Sequence, residues 1–107
     1  MEKHKIEIAK DFSEILGGRW IKVGPFSGEL FYDTILKQKF EEASFDNEKL
    51  HIYLDGTKGY GSSFLDQSFG ELARKFGVEN VEKTLVFHTE YFTWYVKYLK
   101  EEIWAKK

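Results

Sequence analysis

The segment from Leu50 to Gly77 restricts the fold of this chain more than any other stretch. Leu50–Leu54 (LHIYL) is a short apolar run typical of a buried strand, and Asp55-Gly56 is a usual way for such a strand to end in a tight turn. The glycine loop TKGYG follows, and two serines then open an amphipathic helix. This order predicts a strand–loop–helix unit at the centre of the fold.

The helix after the glycine loop carries one clean apolar stripe. We expect it to start at Ser62 or Ser63 and to end before Gly77, a residue suited to the position after a helix. Ser63 and Asp66 have the spacing of a capping box, with Asp in place of the commoner Glu. The stripe predicted to face the core consists of Leu65, Phe69, Leu72, Ala73 and Phe76.

The flanking sequence predicts further strands and helices around this unit. They are strands at Lys5–Lys10, Arg19–Val23 and Thr84–Phe87, helices from Ser27 to Ala43 and from Thr89 to about Ala105, a helical turn at Phe12–Leu16 and a link at Val78–Lys83. Strands separated by helices favour right-handed crossovers. We therefore expect an α/β fold of order β-β-α-β-α-β-α, with a mixed four-stranded sheet, parallel at its centre, and about three helices.

Length and composition restrict the functions open to the chain. Its 107 residues, 42% of them hydrophobic, suffice for a single domain (residues 1–107) with one core. A net charge of −2 argues against a nucleic-acid binder, and no apolar run reaches the roughly 18 residues that span a bilayer. The absence of cysteine excludes disulfides and thiolate catalysis. The N-terminus lacks the apolar core of a signal peptide, so we expect a cytoplasmic protein with no nucleic-acid or membrane partner.

The segment from Ser62 to Leu72, SSFLDQSFGEL, resembles the helix start S-S-F-L-D-E-x-F-G-x-L of the STAS-like DUF4325 family. Upstream, the residues from Gly24 to Glu29 (GPFSGE) resemble the S-G-E element that opens the first helix in that family. The strand and helix order from Arg19 to Phe87 looks like the STAS fold of anti-sigma factor antagonists and of the cytoplasmic domains of sulfate transporters. The resemblance implies a STAS-like fold and a non-catalytic regulatory role.

In anti-sigma factor antagonists the corresponding helix starts D-S-S-G or D-S-T-G, and a partner kinase phosphorylates a serine there. Here Gly61 stands at the Asp position and Phe64 at the Gly position, while Ser62 and Ser63 remain as phosphorylation candidates. Gln67 replaces a residue that is commonly acidic in the DUF4325 family.

The resemblance also implies a protein partner, either a GHKL-type ATPase kinase or an anti-sigma factor. The partner would dock on the loop Thr57–Ser63 and on the exposed side of helix 63–76, and its choice of complex would switch on phosphorylation of a serine. The residues expected to contact it are Lys58, Tyr60, Gly61, Asp66 and Gln67.

A second hypothesis is a domain that binds a small anion or a nucleotide through the Gly56–Gly61 loop and the helix N-terminus, although no Gly-Lys-Ser/Thr follows as in a P-loop. An enzyme is the third hypothesis, and it would need a pocket where Asp55, Arg19 and a histidine converge. Because no nucleophile–base pair is evident, we expect no catalysis.

The remaining candidate residues are histidines and aromatics. His4, His51 and His88 lack the spacing of a metal site, so neither a metal nor another cofactor is expected. The last helix carries aromatics beyond its core stripe, and Trp and Tyr favour interfaces, so helix 89–105 is a candidate for a homodimer or partner contact. These extra aromatics are Tyr91, Trp94, Tyr98 and Trp104.

Overall fold

The computed structural model describes residues 3–106, with side chains for residues 3–105. This part of the chain forms three strands and five helices around one core. In chain order the elements are β1 (Lys5–Glu7), α1 (Ile8–Asp11), a 3-10 turn (Ile21–Val23), α2 (residues 28–45), β2 (Leu50–Tyr53), α3 (residues 62–76), α4 (Val78–Thr84), β3 (Leu85–His88) and α5 (residues 93–106).

The sheet has the order β1-β2-β3, and both strand pairs are parallel. Ile52 of β2 lies opposite Ile6 of β1 and Phe87 of β3. Burial alternates along β2: Leu50 and Ile52 are fully buried, whereas His51 and Tyr53 are half-buried. The alternation gives the sheet an inner face toward the core and a more open outer face, and β2 is its central strand, as the sequence predicted.

The predicted fourth strand at Arg19–Val23 is wrong. Its backbone groups bond the start of α2 instead of a neighbouring strand: Gly28 N–H donates to Gly18 O at 2.8 Å and Glu29 N–H donates to Arg19 O at 2.9 Å. The Glu29 carboxylate in turn accepts from Ile21 N–H at 2.8 Å. The segment is therefore a loop folded onto a helix N-terminus, and the described sheet is parallel throughout rather than mixed.

The prediction of about three helices is also wrong, because two short helices add to the three long ones. The predicted link after Gly77 is helical as α4, and Gly77 (φ +93°) lies between α3 and α4. The predicted turn at Phe12–Leu16 lies earlier, as α1, where the Asp11 carboxylate accepts from Glu7 N–H at 2.9 Å. The last helix begins at Thr93 and not at the predicted Thr89, although Thr89 Oγ1 accepts a hydrogen bond from Phe92 N–H at 2.9 Å.

The start of α2 agrees with its prediction. Ser27 is the N-cap, and its hydroxyl oxygen accepts from Leu30 N–H at 3.1 Å. Gly28 follows at a close crossing of α2 with α3, since a Cβ on Gly28 would lie 2.6 Å from Phe64 O. The sequence element S-G-E therefore caps one long helix and lets the next approach it.

The core is aromatic and lies between the inner face of the sheet and the three long helices. Phe31 of α2 stacks on Phe64 of α3 with ring centroids 5.7 Å apart, and Phe69 meets Phe87 of β3 at 5.3 Å. Trp104 of α5 is 2% exposed, and its Nε1–H donates to Phe69 O at 3.0 Å. These contacts tie α3 to every other layer of the fold.

Each long helix contains a π-helical turn, at Tyr32–Leu36, Asp66–Gly70 and Leu99–Ile103. The turns of α3 and α5 meet at Gly70, where a Cβ would lie 2.9 Å from Ile103 Cγ2. In the part of the chain that is described, no helix has the length and apolar character that crossing a bilayer requires.

Candidate functional site

The two candidate serines lie in the first turn of α3, but neither caps it. The N-cap is Gly61, whose φ of −80° and ψ of 153° are extended, and no side chain bonds the first-turn amides. The predicted capping box of Ser63 and Asp66 is therefore wrong. Ser62 is exposed and Ser63 half-buried, and neither hydroxyl hydrogen-bonds another group in residues 3–106.

Asp66 does not cap the helix because two arginines hold its carboxylate. Arg19 Nη1 donates to Oδ2 at 2.5 Å, and Arg74 Nη1 donates to Oδ1 at 3.0 Å. Arg74 also donates to Asp66 O and to the Glu71 carboxylate, both at 2.9 Å. Partial burial opposes the charged form of Asp66, but the hydrogen bonds from Arg19 and Arg74 outweigh it and hold its pKa below the ordinary value.

The loop before α3 is fixed by internal hydrogen bonds. Lys58 N–H donates to Glu14 O at 2.8 Å, and Gly59 N–H donates to Thr57 Oγ1 at 3.3 Å. Since these two amides are engaged, the loop is not the open ring of amides that the anion-binding hypothesis requires. Gly56 (φ +101°) and Gly59 (φ +130°) adopt left-handed backbone, which accounts for both glycines by turn geometry.

Tyr60, which the sequence predicted as a partner contact, is buried beneath the surface of this loop. It is 4% exposed, its hydroxyl donates to Leu54 O at 2.8 Å, and burial raises its pKa. The ring meets Phe92 edge-on at 5.6 Å and anchors the loop to the start of α5. Lys58 and Gly61 are exposed as predicted, and Gln67 is half-buried.

An aromatic groove of about 290 Å³ opens beside Ser62. Trp94 stacks on Tyr95 with centroids 4.3 Å apart and remains 60% exposed. Tyr98 meets Trp94 at 6.3 Å on the next turn of α5. We name this the Ser62 groove; its lining residues are Tyr60, Ser62, Leu65, Trp94, Tyr95 and Tyr98.

The sequence singled out Trp94 and Tyr98 as surplus aromatics but did not join them to the serine loop. That junction is made by the connection between β3 and α5. Asp55, at the end of β2, accepts from Thr89 Oγ1 at 2.6 Å and from Glu90 N–H at 2.7 Å. Burial opposes the charge of Asp55, yet these hydrogen bonds prevail and lower its pKa. The Asp55 turn thus sets the start of α5 next to the glycine loop.

The convergence that an enzyme would need is not present among the described residues. Asp55 bonds the β3–α5 connection, whereas Arg19 bonds Asp66 on α3. The histidines lie elsewhere: His4 pairs with Asp46 at 2.8 Å, and His51 faces His88 at 2.8 Å on the outer face of the sheet. No group of three histidine or carboxylate side chains within residues 3–106 is arranged to hold a metal ion.

Comparison with known proteins identifies a family that matches this chain. A family described as a STAS-like domain of unknown function (DUF4325) matches residues 27–89, which is more than half of the 107-residue chain. The matched region runs from the N-cap of α2 through α3 to Thr89 and includes both serines. No curated protein and no solved structure gives a significant match.

Proposed function

Since the chain belongs to the DUF4325 family of STAS-like domains, we propose that it is a regulatory domain that docks a protein partner around Ser62. The docking surface consists of the loop Thr57–Ser63, the exposed first turn of α3 and the Ser62 groove. Phosphorylation of Ser62 controls the docking. The partner class expected from the STAS resemblance is a GHKL-type ATPase kinase or an anti-sigma factor.

The observation that carries this proposal is the state of the Ser62 side chain. A capping serine would use its hydroxyl oxygen for a first-turn amide, but Gly61 occupies the cap and leaves the Ser62 hydroxyl exposed and unbonded within the described residues. A phosphoryl group there would lie near free amides and the positive end of the α3 dipole, so the fold would tolerate it.

A phosphate on Ser62 would lie next to the Ser62 groove and would change how a partner docks there. Trp94 and Tyr98 present a large aromatic surface whose contact with a partner would exclude water, and such residues supply much of the affinity of protein interfaces. A phosphate at the rim carries nearly two negative charges, and an apolar group docked there would strip water from it, which is costly. Phosphorylation of Ser62 is therefore expected to release the partner.

Two of the sequence-predicted contacts have other roles in this proposal. Asp66 is occupied by Arg19 and Arg74, so it positions α3 rather than meeting a partner. Tyr60 forms the floor of the groove. Lys58, Gly61 and Gln67 stay as candidate contacts beside Ser62.

The test is phosphosite mapping by mass spectrometry on the chain isolated from the cells that produce it. We expect phosphate on Ser62, lost in Ser62→Ala and kept in the matched variant Ser44→Ala, which changes an exposed serine of α2. Ser62→Glu should weaken partner binding at least tenfold, and Ser44→Glu should leave it unchanged. If a Ser62→Ala/Ser63→Ala double variant binds and is modified like the unaltered chain, the proposal is wrong.

A further inference from the structure

Two histidines face each other on the outer face of the sheet. His51 Nδ1 lies 2.8 Å from His88 Nε2, although the residues are 37 positions apart in sequence. His51 is in the central strand β2 and His88 ends β3, and both are half-buried. No sequence spacing indicates this pair, because only the parallel pairing of β2 with β3 brings the rings together.

The His88 ring is held in place by Tyr53. Tyr53 lies opposite His88 in the strand register, and the two rings stack with centroids 4.4 Å apart and planes at 10°. A ring fixed in this way loses little freedom when its nitrogen binds a ligand. The His88 ring is therefore held next to His51 before anything binds.

We propose that His51 and His88 form a two-histidine chelate for a divalent transition-metal ion, with Cu²⁺ and Ni²⁺ preferred to Zn²⁺. Imidazole nitrogens bind such ions at about 2.0–2.1 Å. Two donors at a right angle are then about 2.9 Å apart, and two donors at the tetrahedral angle about 3.4 Å apart. The observed 2.8 Å is a hydrogen-bond distance, and the ring centroids lie 5.0 Å apart, so the two nitrogens point nearly at each other and both rings must tilt to share an ion. A right-angle site, as in Cu²⁺ and Ni²⁺ complexes, then requires almost no change in the separation of the two nitrogens.

The metal replaces the hydrogen bond between the two rings. In the free pair one ring nitrogen donates its proton to the other; on binding, that ring carries its proton on its other nitrogen, and both facing nitrogens offer lone pairs. Two protein donors leave the remaining positions of the ion to water or to a donor from a second molecule. The neighbouring strand adds no net charge, because Lys5 and Glu7 of β1, opposite His51 and Tyr53, pair with each other at 3.2 Å.

The test uses the full chain without a histidine tag, titrated with CuCl₂ and NiCl₂ by calorimetry near pH 7.5. We expect one ion per chain, and His51→Gln and His88→Gln should each weaken binding at least tenfold. His4→Gln is the matched control, because His4 pairs with Asp46 away from the outer-face pair. Equal affinity in the His51 variant and the unaltered chain, or an equal loss in the His4 variant, would overturn the proposal.

Two further measurements keep the test decisive if a histidine variant folds poorly. At ten times the dissociation constant, Ni²⁺ should raise the melting temperature of the unaltered chain by about 5–10 °C, because the ion binds the paired strands and not the unfolded chain. Nitrogen NMR with diamagnetic Zn²⁺ should move the resonances of His51 Nδ1 and His88 Nε2. Shifts confined to His4, or no shift at either outer-face nitrogen, would show that the pair is only hydrogen-bonded.

Discussion

Asp66 connects three parts of the chain through one carboxylate. It binds Arg19 of the loop before α2 and Arg74 about two turns further along α3, and Arg74 also donates to the Asp66 carbonyl. Asp66 lies one turn after Ser62 in α3, so the network is next to the turn that carries the candidate serine. The position of the candidate site therefore depends on a residue that the sequence predicted as a cap and a partner contact.

Replacing Asp66 with Asn should lower the free energy of unfolding by about 1–2 kcal/mol, because two charge-assisted hydrogen bonds are weakened at a site that solvent partly screens. Urea denaturation near pH 7 measures the change. Asp33→Asn is the control, since Asp33 is exposed on α2. An Asp66 variant as stable as the control would contradict the role of the network.

The Asp66 network also predicts a pH dependence with a definite sign. The pKa of Asp66 is lower in the folded chain than in the unfolded one, where it is about 3.9. The stabilisation is therefore complete above about pH 4 and is lost as the pH falls through the lower, folded value. The stability difference between the unaltered chain and Asp66→Asn should shrink from pH 7 to pH 3. A difference that stays constant over this range would assign the effect to packing.

At the scale of elements, the crossing of α2 and α3 sets the direction of the Ser62 turn. A Cβ on Gly28 would lie 2.6 Å from Phe64 O, a backbone atom that cannot move without shifting α3. Gly28→Ala should therefore cost about 1–3 kcal/mol of stability through overpacking. Gly18→Ala is the matched control, since a Cβ there meets nothing within 4 Å. Equal melting temperatures for the two variants would mean that the helices do not need this close approach.

The two tryptophans of α5 should separate stability from recognition. Trp104 is 2% exposed and Trp94 is 60% exposed. Trp104→Ala should cost about 3–5 kcal/mol, because it empties the core beneath Phe87 and Phe69. Trp94→Ala should change stability by about 1 kcal/mol or less and should weaken partner binding. Chemical denaturation followed by circular dichroism measures the stability of both variants. A large loss of stability in the Trp94 variant would make that residue structural.

Much of the fold could be predicted because its signals are local. The apolar runs of β2 and β3, the Ser27 cap and the apolar stripe of α3 all depend on neighbours within a few residues. The loop at Arg19–Val23 could not be predicted. Its short apolar pattern resembles that of a strand, but its backbone bonds the start of α2. Helix α4 was also missed. It follows α3 after the single residue Gly77, and a segment after such a glycine is equally typical of a link.

The candidate site shows the same division at the scale of the whole molecule. The serine loop was visible in the sequence, but its groove joins residues of the loop to Trp94 and Tyr98, more than thirty positions later. The pairs Arg19–Asp66 and His51–His88 are 47 and 37 positions apart. Such contacts form only when the strands pair and the helices pack on the sheet, so a single sequence does not reveal them. The homodimer through helix 89–105 stays a prediction.

The central claim is that a protein partner docks on the surface around Ser62. It is tested most directly by photo-crosslinking in the producing cells, with a benzophenone amino acid in place of Trp94 or, as the control, of Phe45, which is 91% exposed on α2. The account predicts a discrete crosslinked partner at position 94, lost when Ser62→Glu is added, and none at position 45. A partner captured equally at both positions, or a crosslink at 94 that Ser62→Glu leaves unchanged, would contradict it.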